Sequence, residues 1–280
     1  MRINRPLDDL IWRCPIPGKH LNLKDGVVVC GDALTLLQCL NTDSADIIFL
    51  DPPFNLGKRY GTKSAKDDNR HLDSYRRFIT LILTEAARVL KPGGALYLYH
   101  IPKWALEFGA HLNSLLLFRH WIAISMKNGF VRGQRLYPAH YALLYFTKGE
   151  PAQFTRPKIP IQKCRHCKLP IRDYGGYKAF VAKGVNLSDI WDDLSPVRHK
   201  HKKTRQANEL PPTLLERVMQ ISGHPHGIVV DPFAGSGASL VAALGSGMHF
   251  VANDREPSYY RLMVKRLTHG ARIRKKGNDT

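Results

Sequence analysis

The sequence is short of negative charge. Its 280 residues hold 23 Asp and Glu against 42 Lys and Arg, a formal net charge of +19, and the sequence pI is near 9.9. A surplus of that size calls for a polyanionic partner, with nucleic acid the first candidate. An anionic membrane is the second, but no apolar stretch approaches the roughly 18 residues of a spanning helix. Met1 to Leu10 mixes Arg, Asn, Pro and Asp and lacks the apolar run of a signal peptide. Cysteine is scarce as well: five residues, an odd number, in a chain long enough to fold on an apolar core without disulfide staples. These absences set the expectation of a soluble, cytoplasmic protein that binds nucleic acid.

What is present is an alternation of short apolar runs and helical patterns. The run Val27 to Cys30 ends at Gly31-Asp32 and is followed by a helical stretch through Leu34, Leu37 and Leu40. Asp46 to Leu50 reads as a strand that stops at Asp51-Pro52-Pro53-Phe54, where the prolines forbid further strand or helix. A helix is predicted over 72–90, stopped by Lys91-Pro92-Gly93-Gly94, and a buried strand over Ala95 to Tyr99. Trp104 to Leu117 reads as a helix, and Trp121 to Ser125 and Tyr141 to Phe146 as closing strands. The same texture resumes at Pro212 with helices over 212–221, 238–244 and 257–267 and strands over 228–230 and 248–252. The fold class is α/β, a doubly wound, mostly parallel sheet with helices on both faces. Between Glu150 and Arg205 the regular signals vanish and 13 basic residues face 5 acidic ones, net +8. The predicted organisation is therefore a first half at 1–149, a basic insert at 150–205, a second half at 206–270 and a basic tail at 271–280.

Two motifs carry chemistry. Val229 to Gly237 runs from a strand through Asp231-Pro232-Phe233-Ala234-Gly235-Ser236-Gly237 into a helix, and its glycines let a ligand approach the backbone closely. Asp254 follows at the end of the next strand, at the spacing of a carboxylate that accepts ribose hydroxyls. No Gly-x-x-x-x-Gly-Lys-Ser/Thr run is present, so adenosine without a triphosphate fits better than a nucleotide. The second motif, Asp51-Pro52-Pro53-Phe54, sits just past a strand. It offers a carboxylate, a rigid carbonyl and an aromatic face, which match the two N–H bonds and the ring of a planar amine.

The two motifs, in this order, resemble those of the S-adenosylmethionine-dependent amino-methyltransferases of DNA, in the permuted group whose catalytic motif precedes the cofactor turn. The resemblance extends to Gly31-Asp32-Ala33, Leu90 to Gly94, His140 to Lys148, Asp189-Ile190-Trp191 and Leu214-Leu215-Glu216-Arg217. It implies a circularly permuted Rossmann-like methyltransferase fold, in which 1–149 is the catalytic half and 206–270 the cofactor-binding half. By that resemblance Asp51, Pro52, Pro53 and Phe54 are catalytic. Asp231, Pro232, Phe233, Gly235, Ser236, Gly237 and Asp254 bind S-adenosylmethionine, and Asp32 lies near its adenine. Many members carry Thr-Gln-Lys-Pro where this chain has Asn208-Glu209-Leu210-Pro211, so a lysine toward the methionine carboxylate is missing and Asn208 is the expected replacement.

None of the five cysteines follows a proline, so a thiolate-dependent attack on cytosine carbon 5 is excluded. An exocyclic amine is the implied target. An Asp in the first motif position goes with adenine N6 more often than with cytosine N4, which stays the alternative beside RNA or a protein amide. The base must leave the stack to react, and Phe54 is expected to stack on it. In the insert, where the resemblance places target recognition, Arg198, Lys200, Lys202, Lys203 and Arg205 are expected on DNA phosphates. Cys164 and Cys167 have the spacing of half a zinc site, to be completed by His199, His201 or a distant cysteine such as Cys14. Duplex DNA is the expected partner. The resemblance leaves open a homodimer and a companion restriction endonuclease.

Overall fold

The computed structural model describes residue 7 and residues 11–56, 70–125, 134, 136, 138–161, 163, 166–169, 184–194 and 209–276, with side chains to residue 267. Its centre is a nine-stranded sheet in the order β1-β2-β11-β10-β3-β4-β6-β5-β9. The strands are β1 (Lys19–Leu23), β2 (Gly26–Cys30), β3 (Ala45–Leu50), β4 (Leu90–His100), β5 (Leu117–Ser125), β6 (His140–Thr147), β9 (Ile190–Trp191), β10 (Ile228–Asp231) and β11 (His249–Asn253). β2, β11, β10, β3 and β4 run parallel, while β1 and β6 pair antiparallel with their neighbours.

Their sequences explain this. Val-Val-Val in β2, Ile-Ile-Phe-Leu in β3 and Ile-Val-Val in β10 are continuous apolar runs, as strands covered on both faces require. One face is covered by helices α1 (Ala33–Cys39), α2 (Leu72–Val89) and α3 (Pro102–Asn113), whose Leu36, Ile79, Leu83 and Phe108 join one core. The other is covered by α4 (Pro212–Ser222), α5 (Ala238–Gly245) and α6 (Pro257–Lys276), which contribute Leu215, Leu240 and Met263 to the second core.

Three sequence expectations are corrected. Lys91-Pro92-Gly93-Gly94 does not separate helix from strand: β4 already begins at Leu90. The register shifts between Ala45 and Ile47, and Gly93 takes φ +76°, so a bulge absorbs the proline's missing N–H inside the strand. β5 starts at Leu117, inside the stretch read as helix. The residues read as a basic tail begin within α6, which continues to Lys276. In the insert, β7 (Lys158–Ile159) and β8 (Val185–Asn186) form a two-stranded ribbon, and β9 returns to the main sheet beside β5.

Cys14 and Cys39 are joined by a disulfide, against the expectation that no staple is used. The chain brings them together through its backbone. Arg13 N–H donates to the Cys39 carbonyl at 2.9 Å and Asn41 N–H to Ile11 at 2.8 Å, which leaves the two Cα atoms 5.2 Å apart.

Candidate active site

β3 and β10 are neighbours in the sheet, yet the chain leaves them in opposite directions. From β3 it crosses through α2 to β4; from β10 it crosses through α5 to β11. Such a switch point opens a crevice at the carboxyl ends of the two strands. Both sequence motifs stand there. A cleft of about 250 Å³ lies between them, lined by Asp51, Leu210, Leu215, Asp231, Phe233 and Ser236 among others.

On the cofactor side, Gly235 and Gly237 both take positive φ, +53° and +81°. A Cβ at Gly237 would lie 2.6 Å from Leu240 Cδ2, so only glycine lets α5 start this close to the sheet. The carboxylates of the turn brace it from within. Asp231 accepts from Phe233 N–H at 2.9 Å and from the Ser239 hydroxyl; Asp254 accepts from Gly235 N–H at 3.0 Å and from Glu256 N–H at 2.8 Å. Asp231 is buried, which pushes its pKa up to about 7 despite those two hydrogen bonds, and the charges of Asp51 and Asp254 raise it further. The Pro232 carbonyl accepts from the buried Asn253 amide at 3.0 Å, which also donates to Gly31. Ser236 donates to Glu209 at 2.9 Å, and Arg266 of α6 pairs with the same carboxylate. Asp32 is exposed and caps α1, accepting from Thr35 N–H at 3.0 Å. It stands beyond β2, next to the β11 end that bears Asp254.

On the catalytic side, the loop after β3 is held by side chains from distant elements. Tyr75 donates its hydroxyl proton to the Pro53 carbonyl at 2.7 Å, and Trp104 Nε1–H donates to the Phe54 carbonyl at 3.2 Å. Asn55 takes φ +55° and bonds Arg70 through both ends of its amide, at 2.7 and 3.0 Å. The Phe54 ring is buried against His100 at 4.7 Å between centroids, with Tyr99 and Tyr141 at 6.0 and 5.9 Å. Among the described residues no donor reaches the Pro52 carbonyl.

The structure thus brings Asp51 to Phe54 together with Asp231 to Gly237 and Asp254. Asn208, Cys164, Arg198, Lys200, Lys202, Lys203 and Arg205 lie outside the described residues, as do His199 and His201. The zinc expectation gains no support: Cys14 is bonded to Cys39, Cys167 is an exposed free thiol, and no group of three metal-ligating side chains occurs among the described residues. No helix among them is long and apolar enough to cross a membrane. Sequence reasoning missed Tyr75, His100, Trp104 and Asn55. The Asn directly after the Pro-Pro-Phe was the one local signal, a residue that tolerates left-handed backbone.

A model of a DNA methylase family, covering the N6 and N4 methylases, matches residues 45–265. The chain is 45% identical over 222 residues to the Type II methyltransferase M.BamHI of Bacillus amyloliquefaciens, which aligns 78% of this chain with 52% of that protein. It therefore spans about half the length of that relative. It is 33% identical over 246 residues to the Type II methyltransferase M.HpaI of Haemophilus parainfluenzae, covering 87% of this chain and 74% of the relative. Among solved structures, a DNA modification methylase of Thermus thermophilus, complexed with S-adenosyl-L-methionine, shares the fold. Its TM-score is 0.58 at 19% identity, over 86% of this chain and 94% of that one.

Proposed function

We propose, from the premise that this chain belongs to the N6/N4 DNA methylase family, that it transfers a methyl group from S-adenosylmethionine to an exocyclic amine of a base in duplex DNA. The observation that carries the reading is the shared cleft: Asp51 and the Asp231–Gly237 turn line one crevice from adjacent strands. S-adenosylmethionine supplies a methyl group on a sulfonium, and sulfur keeps the electron pair of the broken bond. The protein's part is orientation. Asp51 and the Pro52 carbonyl accept the two N–H bonds of the amine, which leaves its lone pair aimed at the methyl carbon. Asp51 is also placed to take the proton that the product nitrogen sheds. Phe54 offers the stacking surface for the flipped base, and Asp254, Asp231 and Asp32 shape the adenosine end of the site.

Asp in the first motif position favours adenine N6 as the amine. Cytosine N4 is the second reading, because it presents the same pair of N–H bonds to the same two acceptors. The test is to incubate unmethylated duplex DNA with labelled S-adenosylmethionine and digest the product to nucleosides. Labelled N6-methyladenosine or N4-methylcytidine deoxynucleoside is the expected result and names the base. Label confined to RNA or protein overturns the reading.

The net charge of +8 over residues 150–205 supports duplex DNA as the substrate. Replacing Lys200, Lys202 and Lys203 together is expected to make the slope of log affinity against log salt shallower by up to about 3. Discrimination between sites should stay unchanged, since phosphates carry no sequence information.

A further inference from the structure

Behind the catalytic loop lies a row of hydrogen bonds in which every proton can be assigned. Ile101 N–H donates to His100 Nδ1 at 2.9 Å, so that nitrogen is the acceptor and the ring proton sits on Nε2. His100 Nε2 lies 2.7 Å from the Tyr75 oxygen, and the Tyr75 oxygen lies 2.7 Å from the Pro53 carbonyl. A carbonyl only accepts, so the single proton of Tyr75 goes to Pro53. Tyr75 in turn accepts from His100 Nε2–H. The row runs one way, from Ile101 at the end of β4 through His100 and the first turn of α2 to the loop. A cationic His100 would set its Nδ1–H against Ile101 N–H. His100 is fully buried, and that burial lowers its pKa to about 3. The ring is therefore neutral, in one tautomer, at any pH at which the protein is studied.

His100 touches the loop a second time, since its face stacks on Phe54 at 4.7 Å and 28°. Trp104, packed edge-on to Tyr75 at 5.0 Å, holds the next carbonyl along. We infer that Tyr75 and His100 are positioning residues for methyl transfer: by fixing the Pro53 carbonyl and the tilt of Phe54, they set the direction in which Asp51 and the Pro52 carbonyl meet the amine. The inference rests on the amine-transfer reading above. A hydroxyl used only for packing would be dispensable, because the Tyr75 ring keeps its contacts with Trp104 and Phe108 without it.

The test compares the full-length protein with Tyr75→Phe, His100→Gln and His100→Asn on unmethylated phage DNA with labelled S-adenosylmethionine. Calorimetric cofactor affinity reports folding. Tyr75→Phe is expected to lower kcat about 10- to 100-fold, the cost of a loop displaced by a fraction of an ångström to an ångström. KM for DNA and cofactor affinity should stay within about threefold of the native protein, because the change leaves both binding surfaces in place. Gln can place an amide donor where Nε2 stood and Asn cannot reach it, so His100→Gln should exceed His100→Asn about tenfold in kcat. Native kcat in Tyr75→Phe, equal impairment of Gln and Asn, or a loss spread evenly over kcat, KM and cofactor affinity overturns the inference while the amine-transfer reading stands. If the unsubstituted protein itself labels no base, the amine-transfer reading fails first and takes the inference with it.

Discussion

The two sides of the cleft are built from different materials. The cofactor turn is braced locally and by carboxylates: Asp231 bonds Phe233 and Ser239, and Asp254 bonds Gly235 and Glu256. The catalytic loop is braced from afar and by neutral groups, the Tyr75 hydroxyl, the His100 imidazole and the Trp104 indole. A carboxylate brace surrounds the place where a sulfonium has to sit, and a neutral brace surrounds the place where an uncharged amine has to sit. The comparison also separates the two in their response to pH, because only the carboxylate side holds a group that titrates near neutrality.

The sharpest way to break this division is at Asp51. Asp51→Ala is expected to lower transfer by about 10³-fold or more, since it removes an acceptor for the reacting amine. Cofactor affinity should stay within a few-fold, as measured by calorimetry. Loss of cofactor binding in the folded variant would place Asp51 on the wrong side of the comparison.

The second test uses pH. Asp231 has a folded pKa of about 7 against an ordinary 3.8, so the native state holds its proton more tightly than the unfolded chain. Its effect on stability is fully favourable below pH 4 and is lost as pH rises toward 7. Across pH 5 to 8 this amounts to on the order of 2–3 kcal/mol, and Asp231→Asn should flatten that part of the denaturation profile. A cation in the cleft favours the ionised form. S-adenosylmethionine affinity should therefore rise between pH 6 and 8, and that of neutral S-adenosylhomocysteine should rise less. Equal pH dependence for the two ligands would show that the sulfonium does not sense Asp231.

Smaller effects are expected from the turn itself. Gly237→Ala forces a Cβ onto Leu240 at a φ that L residues avoid, at a cost of about 1–3 kcal/mol in thermal or denaturant unfolding. Asp254→Ala should weaken cofactor binding by about 1–2 kcal/mol, because it unpairs the Gly235 and Glu256 amides along with any ribose hydroxyl. Unchanged affinity in that variant would mean that Asp254 does not hold the ribose.

How far each side could be read from the sequence follows the same division. The cofactor turn depends on residues a few positions apart and on glycine conformations, so Asp231 to Gly237 and the following Asp254 were legible as a string. Asp51 to Phe54 was legible too, because adjacent prolines leave the backbone few choices. The clamp behind it was not. Tyr75, His100 and Trp104 lie 22 to 50 positions from the atoms they hold, in stretches that read as ordinary apolar helix and strand. The long elements were found by their periodicity, whereas β1, β7, β8 and β9 are too short or too polar to carry one. Gly93 misled for a physical reason, since the conformation that ends a helix also makes a bulge inside a strand.

The ribbon of β7 and β8 has a consequence for how such a protein changes over time. Lys158 pairs with Asn186 and Ile159 with Val185, so the chain between them leaves and rejoins the scaffold at one spot. A few residues on, Trp191 is buried under the Arg217 guanidinium, and Arg217 pairs with Asp193, which welds the return to α4. A span tied at its base can be lengthened, shortened or exchanged at a closure cost that grows by only about 0.6 kcal/mol per doubling. The cleft would not register the exchange. Inheritance of a new target sequence then requires new residues in 160–184, with Asp51, Tyr75 and the glycine turn left untouched.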